Sequence, residues 1–244
     1  MTSLPESTQR KLGLVIDLDT CVGCHACAVA CKQWNDTGVV APLSDQNPYG
    51  TEASGTWLNR VHSFEARDDQ GGFALHFPRS CLHCDNAPCV TVCPTGASYK
   101  RTADGIVLVD EDLCIGCGLC AWACPYGARE MDESQGVMKK CTLCADRIDN
   151  QHLPVEDRVP ACVRTCPTSA RHFGDLGDPN SEVSLLVAAR GGVALMPESG
   201  CAPTNRYLPP RERRSAAAPV AETGEAAADA PGGFLGWLDR VLSA

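Results

Sequence analysis

Sixteen of the seventeen cysteines in this chain stand in four groups of four, and no other feature of its 244 residues constrains the fold as tightly. The groups are Cys21, Cys24, Cys27, Cys31; Cys81, Cys84, Cys89, Cys93; Cys114, Cys117, Cys120, Cys124; and Cys141, Cys144, Cys162, Cys166. An odd count in a chain of this length weighs against a disulfide framework. Met1 to Lys11 has neither a charged stretch leading into an apolar run nor an arginine pair, so no export signal is expected and the thiols should be reduced. Clustered, reduced thiols are soft ligands for iron-sulfur clusters or zinc.

The spacings separate those two readings. The first group runs C-x2-C-x2-C-x3-C, and the third, CIGCGLCAWACP, repeats it and ends in Pro125. This is the bacterial ferredoxin run, whose fourth cysteine serves a different cluster from the first three. Each such run needs a partner, and the second group (C-x2-C-x4-C-x3-C-P) and fourth (C-x2-C-x17-C-x3-C-P) supply candidates. Four zinc-thiolate sites are the bland alternative, but zinc motifs join two short pairs and do not ordinarily add a third cysteine two residues on.

An internal repeat narrows the pairing. LVIDLDTCVGCHACAVAC from Leu14 matches VLVDEDLCIGCGLCAWAC from Val107, aligning Asp17 with Asp110, and APCVTVCPTGA matches PACVRTCPTSA. The chain reads as an α+β protein of duplicated dicluster-ferredoxin-like modules with short strands, short helices and long loops. Adjacent groups two and three close an inner module over 73–137, while groups one and four close an outer one over 12–33 with 138–176. The expected ligand sets are Cys114, Cys117, Cys120 with Cys93; Cys81, Cys84, Cys89 with Cys124; Cys21, Cys24, Cys27 with Cys166; and Cys141, Cys144, Cys162 with Cys31. Four [4Fe-4S] clusters would use all sixteen thiols as iron ligands.

Other residues carry weaker signals. Gly23 and Gly116 sit between the first two ligands of their runs, where the missing side chain lets backbone N–H groups approach sulfur, although each also suits a plain tight turn. Pro94, Pro125 and Pro167 turn the chain away after the last cysteine, whereas Cys31 is followed by Lys32. Lys32, Arg79, Lys139, Lys140 and Arg164 lie close to cysteines in sequence and are expected for the most part to be solvated surface charges. His25 and His83 are expected as neighbours of the ligands or as exposed residues, and Cys201 as a free thiol.

Strands are expected at Leu12 to Leu18, Phe73 to Phe77 and Ile106 to Val109, with Ser98 to Arg101 and Ile106 to Val109 flanking an Asp104-Gly105 hairpin turn. Helices should follow at Ala26 to Gln33 and Leu119 to Ala123. Residues 34–72 read as a polar insertion and surface excursion whose Trp57, Leu58 and Val61 either anchor a partner or pack on the modules. Beyond 177–210, a C-terminal extension, composition predicts a disordered linker over 211–231 and a short amphipathic helix over 232–244 that docks on a partner or a membrane surface.

The net charge of −9, with no basic patch, argues against nucleic acid, and no apolar run reaches the roughly 18 residues of a membrane span. Aromatics are only 5 % of the chain, so something besides large side chains must help fill the interior. With no nucleotide fingerprint, no catalytic constellation and no small-molecule substrate site evident, linked clusters read most simply as an electron relay, within a potential range of roughly −700 to +450 mV.

CVGCHACAVAC, CLHCDNAPCVTVCP, CIGCGLCAWACPYGA and KKCTLCADR…ACVRTCP together resemble the iron-sulfur subunit of the dimethyl-sulfoxide-reductase family of molybdenum enzymes, over about residues 12–176. The resemblance implies a non-catalytic electron-transfer subunit, placed between a molybdopterin catalytic subunit and a quinone-reactive integral membrane anchor. Some relatives hold a three-iron cluster where tryptophan replaces a cysteine of group three; here Cys114, Cys117 and Cys120 are all present. The missing export signal and the segment GTWLNRVHSFE look most like the cytoplasmic, membrane-bound sulfite dehydrogenases. That would place the chain on the inner face of the cytoplasmic membrane, held there by a partner. A sulfoxide, thiosulfate or polysulfide reductase relay, a soluble polyferredoxin and a zinc-thiolate scaffold are the alternatives. Anaerobic purification should yield a brown protein with about sixteen irons and sixteen labile sulfides per chain, and a colourless zinc protein would remove the relay reading.

Overall fold

The computed structural model describes residues 2–35, 55–68 and 71–211. The C-terminal helix, nearly all of the linker and residues 36–54 of the expected insertion lie outside them. Along the chain, β1 (Leu12–Asp17) enters the first cysteine run and α1 (Ala26–Asn35) leaves it. β2 (Asn59–Asp68) and β3 (Gly71–Ser80) precede the second run, which contains α2 (Pro88–Thr91). β4 (Ser98–Lys100) and β5 (Val107–Val109) lead to the third run and α3 (Leu119–Trp122). β6 (Glu130–Asp132) and β7 (Val137–Lys139) lead to the fourth, which holds α4 (Ala145–Ile148) and α5 (Ala161–Arg164). β8 (Arg171–Asp175), α6 (Glu182–Arg190) and β9 (Arg206–Leu208) follow. Short helices and four small sheets make a dicluster ferredoxin-like arrangement.

The sequence repeat reappears as a repeated strap around the cysteines. β1, which enters run one, pairs antiparallel with β8, which leaves run four, from Leu12↔Asp175 to Ile16↔Arg171. β5, which enters run three, pairs antiparallel with β4, which leaves run two, with Ser98 opposite Val109. The aligned aspartates do the same work in both copies. The N–H of Asp17 donates to the Ala170 carbonyl at 2.7 Å and that of Asp110 to the Ala97 carbonyl at 2.8 Å. Their carboxylates then accept the N–H groups of Asp19 and Asp112, each at 3.0 Å, turning the chain into the run. Between the straps, α1 packs on α5 and α2 on α3.

One substitution in the pattern changes a helix length. α3 stops at Trp122, because Pro125 disfavours helical backbone at Cys124. With Lys32 in the corresponding place, α1 runs on past Cys31 to Asn35. That brings the Asn35 amide within 3.6 Å of Cys31 Sγ and 3.7 Å of Cys144 Sγ.

One expectation needs correction. Residues 59–68 are not a separate surface excursion: β2 pairs with β3 over its whole length, from Asn59↔Ser80 to Asp68↔Gly71, so a boundary at 72/73 would cut a paired ladder. Trp57 and Val61 are buried against the modules. β2 escapes a pattern reading because it buries polar Asn59 and His62 alongside Val61. The C-terminal extension is built into the outer strap. β9 adds to β1 in parallel, Val15↔Arg206 to Asp17↔Leu208, and Tyr207 stacks on Phe77 with ring centroids 4.6 Å apart. Asn205, fully buried, accepts the Leu14 N–H at 2.8 Å and donates to the Cys81 carbonyl at 3.1 Å, tying the outer strap to run two.

α6 begins at Ser181, whose side chain accepts the Ser184 N–H, and ends at Gly191 in left-handed backbone. Val183 packs with Val15 and Leu208 in a second small core. Gly174 on β8 makes room for it: a Cβ there would stand 2.8 Å from Val183 Cγ2. Gly174→Ala should cost about 1–3 kcal/mol through overpacking, read as a lower denaturation midpoint with iron content unchanged.

Candidate metal centres

The local backbone that aims the thiols is common to all four runs. In the first C-x2-C pair of each run the residue before the second cysteine is left-handed: Gly23 at φ 66°, His83 at 48°, Gly116 at 65° and Leu143 at 56°. Glycine adopts this freely, while a side chain there costs roughly 1–2 kcal/mol and must be held. His83 is held by two hydrogen bonds within a fully buried site. Its Nδ1 accepts the Val107 N–H at 3.1 Å and its carbonyl accepts the Thr204 hydroxyl at 2.8 Å. Burial, with Lys140, Lys100 and Arg129 nearby, holds its pKa well below the usual histidine value, so the ring is neutral. Neither His83 nor Leu143 announced this turn in the sequence, since only glycine carries the signal.

Three cavities follow, each lined by three cysteines of one run and one of another. Cys21, Cys24 and Cys27 share one with Cys166; Cys81, Cys84 and Cys89 share one with Cys124; Cys114, Cys117 and Cys120 share one with Cys93. The remaining cysteines also lie together, Cys31 being close enough to Cys141, Cys162 and Cys144 for their charges to repel. Each cavity is lined almost wholly by apolar surface around its four sulfurs. Among the described residues no three His, Cys, Asp or Glu side chains converge to hold a lone metal ion. A tetrahedral zinc-thiolate site would need such convergence, with sulfurs about 2.3 Å from the metal. Four sulfur donors spread around a largely apolar space instead fit an inorganic cluster.

The quartets adjoin in a row. Cys162 and Cys27 repel across the first gap and Cys141 and Cys81 across the second. Arg129 spans the third, lining the cavities of Cys81 and of Cys114 alike. Only Cys24 and Cys117 are exposed, one in each end quartet.

Backbone amides point at sulfur throughout. Ser98, Met138, Leu143 and Ala161 donate at 3.4 Å to Cys93, Cys114, Cys141 and Cys144, and Ala170 donates at 3.2 Å to Cys166. Such bonds stabilise thiolate charge and raise the potential of anything the thiolates ligate. At Cys93, burial alone would push the thiol up, but the Ser98 N–H and Thr95 hold it below its usual value. Elsewhere crowding wins. Burial, then neighbouring thiolates, push Cys31 well up, while burial outweighs the Ala161 N–H at Cys144 and Arg171 at Cys162, leaving each at about 11; Cys141 reaches the same value. Bound iron would supply the positive charge that reverses this balance.

The cations beside the thiols are not mostly solvated. Arg164 is exposed as expected, but Lys32 and Lys140 are buried. Lys32 donates to the Thr56 carbonyl at 3.0 Å and lies 5.7 Å from the Trp57 ring centre. Lys140 donates to the carbonyls of Val107 and of Cys141. Arg79 is tied to the Tyr126 carbonyl at 2.7 Å, and Lys139 reaches Glu111 and Asp132. Sequence reasoning missed Arg129 and Arg171, both buried beside cysteines. The available signal was their shared place, five residues after Cys124 and Cys166. Cys201 is buried next to Cys84 and shares none of the three cavities.

A family model described as a 4Fe-4S dicluster domain matches residues 73–176, and one described as a 4Fe-4S binding domain matches 12–33. A sulfite dehydrogenase subunit from Allochromatium vinosum is 59 % identical over 84 % of this chain and 85 % of its own length. A tetrathionate reductase subunit from Salmonella typhimurium is 37 % identical over 83 % and 74 %, and protein NrfC of Escherichia coli 41 % over 72 % and 71 %.

The two glycines of the repeat differ in what covers them. A Cβ on Gly116 would run into the backbone carbonyl of Gly136, whereas one on Gly23 would meet the His76 ring, which can swing away. Gly116→Ala should therefore lose iron and thermal stability more severely than Gly23→Ala, although both sites share left-handed backbone. Equal losses in the two variants would contradict this.

Proposed function

Because the chain belongs to the iron-sulfur-subunit family of the dimethyl-sulfoxide-reductase molybdoenzymes, and is thus an electron-transfer subunit of such a complex, we propose that it is the four-cluster relay of a sulfite-oxidising complex. The catalytic partner converts sulfite and water to sulfate, two protons and two electrons. A membrane anchor passes those electrons, with two protons, to quinone. This chain carries them one at a time between the two.

The observation that carries the reading is the row of four cysteine quartets with an exposed cysteine at either end. Cys21, Cys24, Cys27 and Cys166 hold the first [4Fe-4S] cluster, Cys31, Cys141, Cys144 and Cys162 the second. Cys81, Cys84, Cys89 and Cys124 hold the third, Cys93, Cys114, Cys117 and Cys120 the fourth. These clusters supply reversible one-electron redox chemistry at potentials set by the protein. The residues of this chain orient the sulfurs, stabilise their charge through amide N–H groups and exclude water from the inner two sites, whose cysteines are mostly buried.

Both ends present apolar rims suited to partners. Around Cys117 stand Ile115 at 65 % exposure and Trp122 at 88 %, with Leu113 and Leu119; around Cys24 stand Val22 and Val29. The more apolar end, at Cys117, faces the membrane anchor, and the end at Cys24 faces the catalytic subunit. No helix among the described residues is long and apolar enough to cross a membrane. Attachment at the inner face of the cytoplasmic membrane is through that anchor. Sulfite as substrate is supported by the 59 % identity to a sulfite dehydrogenase subunit; relatives named for tetrathionate reduction mark the in-family rival, with electrons flowing the other way.

Membranes from cells lacking this chain should lose sulfite-dependent quinone reduction while the catalytic subunit still reduces a soluble dye acceptor. Unchanged quinone reduction would contradict the proposal, and quinol oxidation driven by a sulfoxide or tetrathionate in the parent membranes would establish the rival.

A further inference from the structure

Arg129 and Arg171 are each buried, 6 % and 3 % exposed, and neither makes a salt bridge with a carboxylate among the described residues. Arg129 donates to the Ser98 hydroxyl at 2.7 Å and Arg171 to the Asn59 side-chain oxygen at 2.7 Å, both neutral groups. Arg129 Nη1 and Arg171 Nε are buried without a hydrogen-bond partner. A guanidinium cannot shed its proton, and a buried charge without a counter-charge is strongly unfavourable. The anions within reach are cysteine sulfurs.

The placement of each is specific. Arg129 lines both the Cys81/Cys84/Cys89/Cys124 cavity and the Cys93/Cys114/Cys117/Cys120 cavity. Arg171 lines the Cys21/Cys24/Cys27/Cys166 cavity and donates at 3.7 Å to Cys162 Sγ of the adjoining quartet. So each module buries one arginine between its two quartets. In the duplicated architecture the two do not come from equivalent runs. The inner-module counterpart of Arg171 is Ser98, five residues after Cys93 as Arg171 is after Cys166, and Arg129 reaches across from the third run to donate to it. Two different stretches of chain thus deliver a guanidinium to corresponding places.

We propose that Arg129 and Arg171 are paired potential-setting residues, each holding one fixed positive charge between the two clusters of its module so that the reduced states of both are stabilised together. This rests on the four-cluster reading above. A shared charge raises both potentials of a pair in the same direction, so the pair moves together with little change in the step between its members. Lys140, between Cys141 and Cys81, lies at the junction of the modules rather than within one.

The test is an anaerobic redox titration of the full chain in its complex, followed by electron paramagnetic resonance, with iron and sulfide measured on each sample. Arg129→Gln should shift two of the four midpoints to more negative values and leave two in place, and Arg171→Gln should shift the other two. Arg129→Lys and Arg171→Lys, which keep a charge at shorter reach, should shift the same pairs by less. Fully loaded glutamine variants with all four midpoints unmoved, with a single midpoint moved, or with both variants moving the same pair would overturn the proposal. If one glutamine variant fails to load iron, the other carries the test unchanged. Iron and sulfide far below four clusters in the parent protein would instead overturn the relay reading, a separate outcome.

Discussion

A C-x2-C-x2-C-x3-C run cannot turn all four of its sulfurs into one cavity, and the architecture follows from that restriction. Three thiols face inward, the chain then leaves through a short helix, and the fourth faces a neighbour. Every cavity therefore draws on two runs, as Cys93 joins Cys114, Cys117 and Cys120, and Cys166 joins Cys21, Cys24 and Cys27. The strands flanking the runs must hold partners in register, which is what β1 with β8 and β4 with β5 do. The C-terminal segment locks one strap to the other system through Asn205 and Tyr207.

The energetics of the interior are unusual for the same reason. Much of the main core is cysteine, and few aromatics are present to replace the space between the thiols. Burial pushes Cys31, Cys84, Cys141, Cys144 and Cys162 up in pKa, while buried Arg129, Arg171 and Lys140 lack carboxylate partners among the described residues. Crowded thiols and unpaired cations are each costly alone. Iron bound to the thiolates would join them into one balanced system, which would couple cluster assembly to folding.

How much of this is legible in the sequence depends on where the signal sits. Spacing and repeat locate the four runs, β1, the Asp104-Gly105 hairpin and both lead helices, because glycine, proline and cysteine at fixed offsets carry local rules. Gly23 and Gly116 disclose their left-handed turns; His83 and Leu143 adopt the same conformation only because tertiary contacts hold it. β2 is hidden because its buried face includes Asn59 and His62, and β9 because three residues of strand have no periodicity. Lys32 and Lys140 read as surface charge, and Arg129 and Arg171 are marked only by their shared offset of five residues from Cys124 and Cys166. A charge is buried where counter-charge awaits it, and the counter-charge here is assembled from residues far apart in the chain.

Whether four clusters stand in a row, each held by thiols of two runs, is tested most directly by anomalous diffraction at the iron absorption edge from crystals of the loaded chain. The expected result is four compact iron peaks in a line, with Cys93 beside the peak bounded by Cys114, Cys117 and Cys120 and Cys124 beside the next. Fewer than four peaks, or a peak enclosed by Cys114, Cys117, Cys120 and Cys124 together, would contradict it.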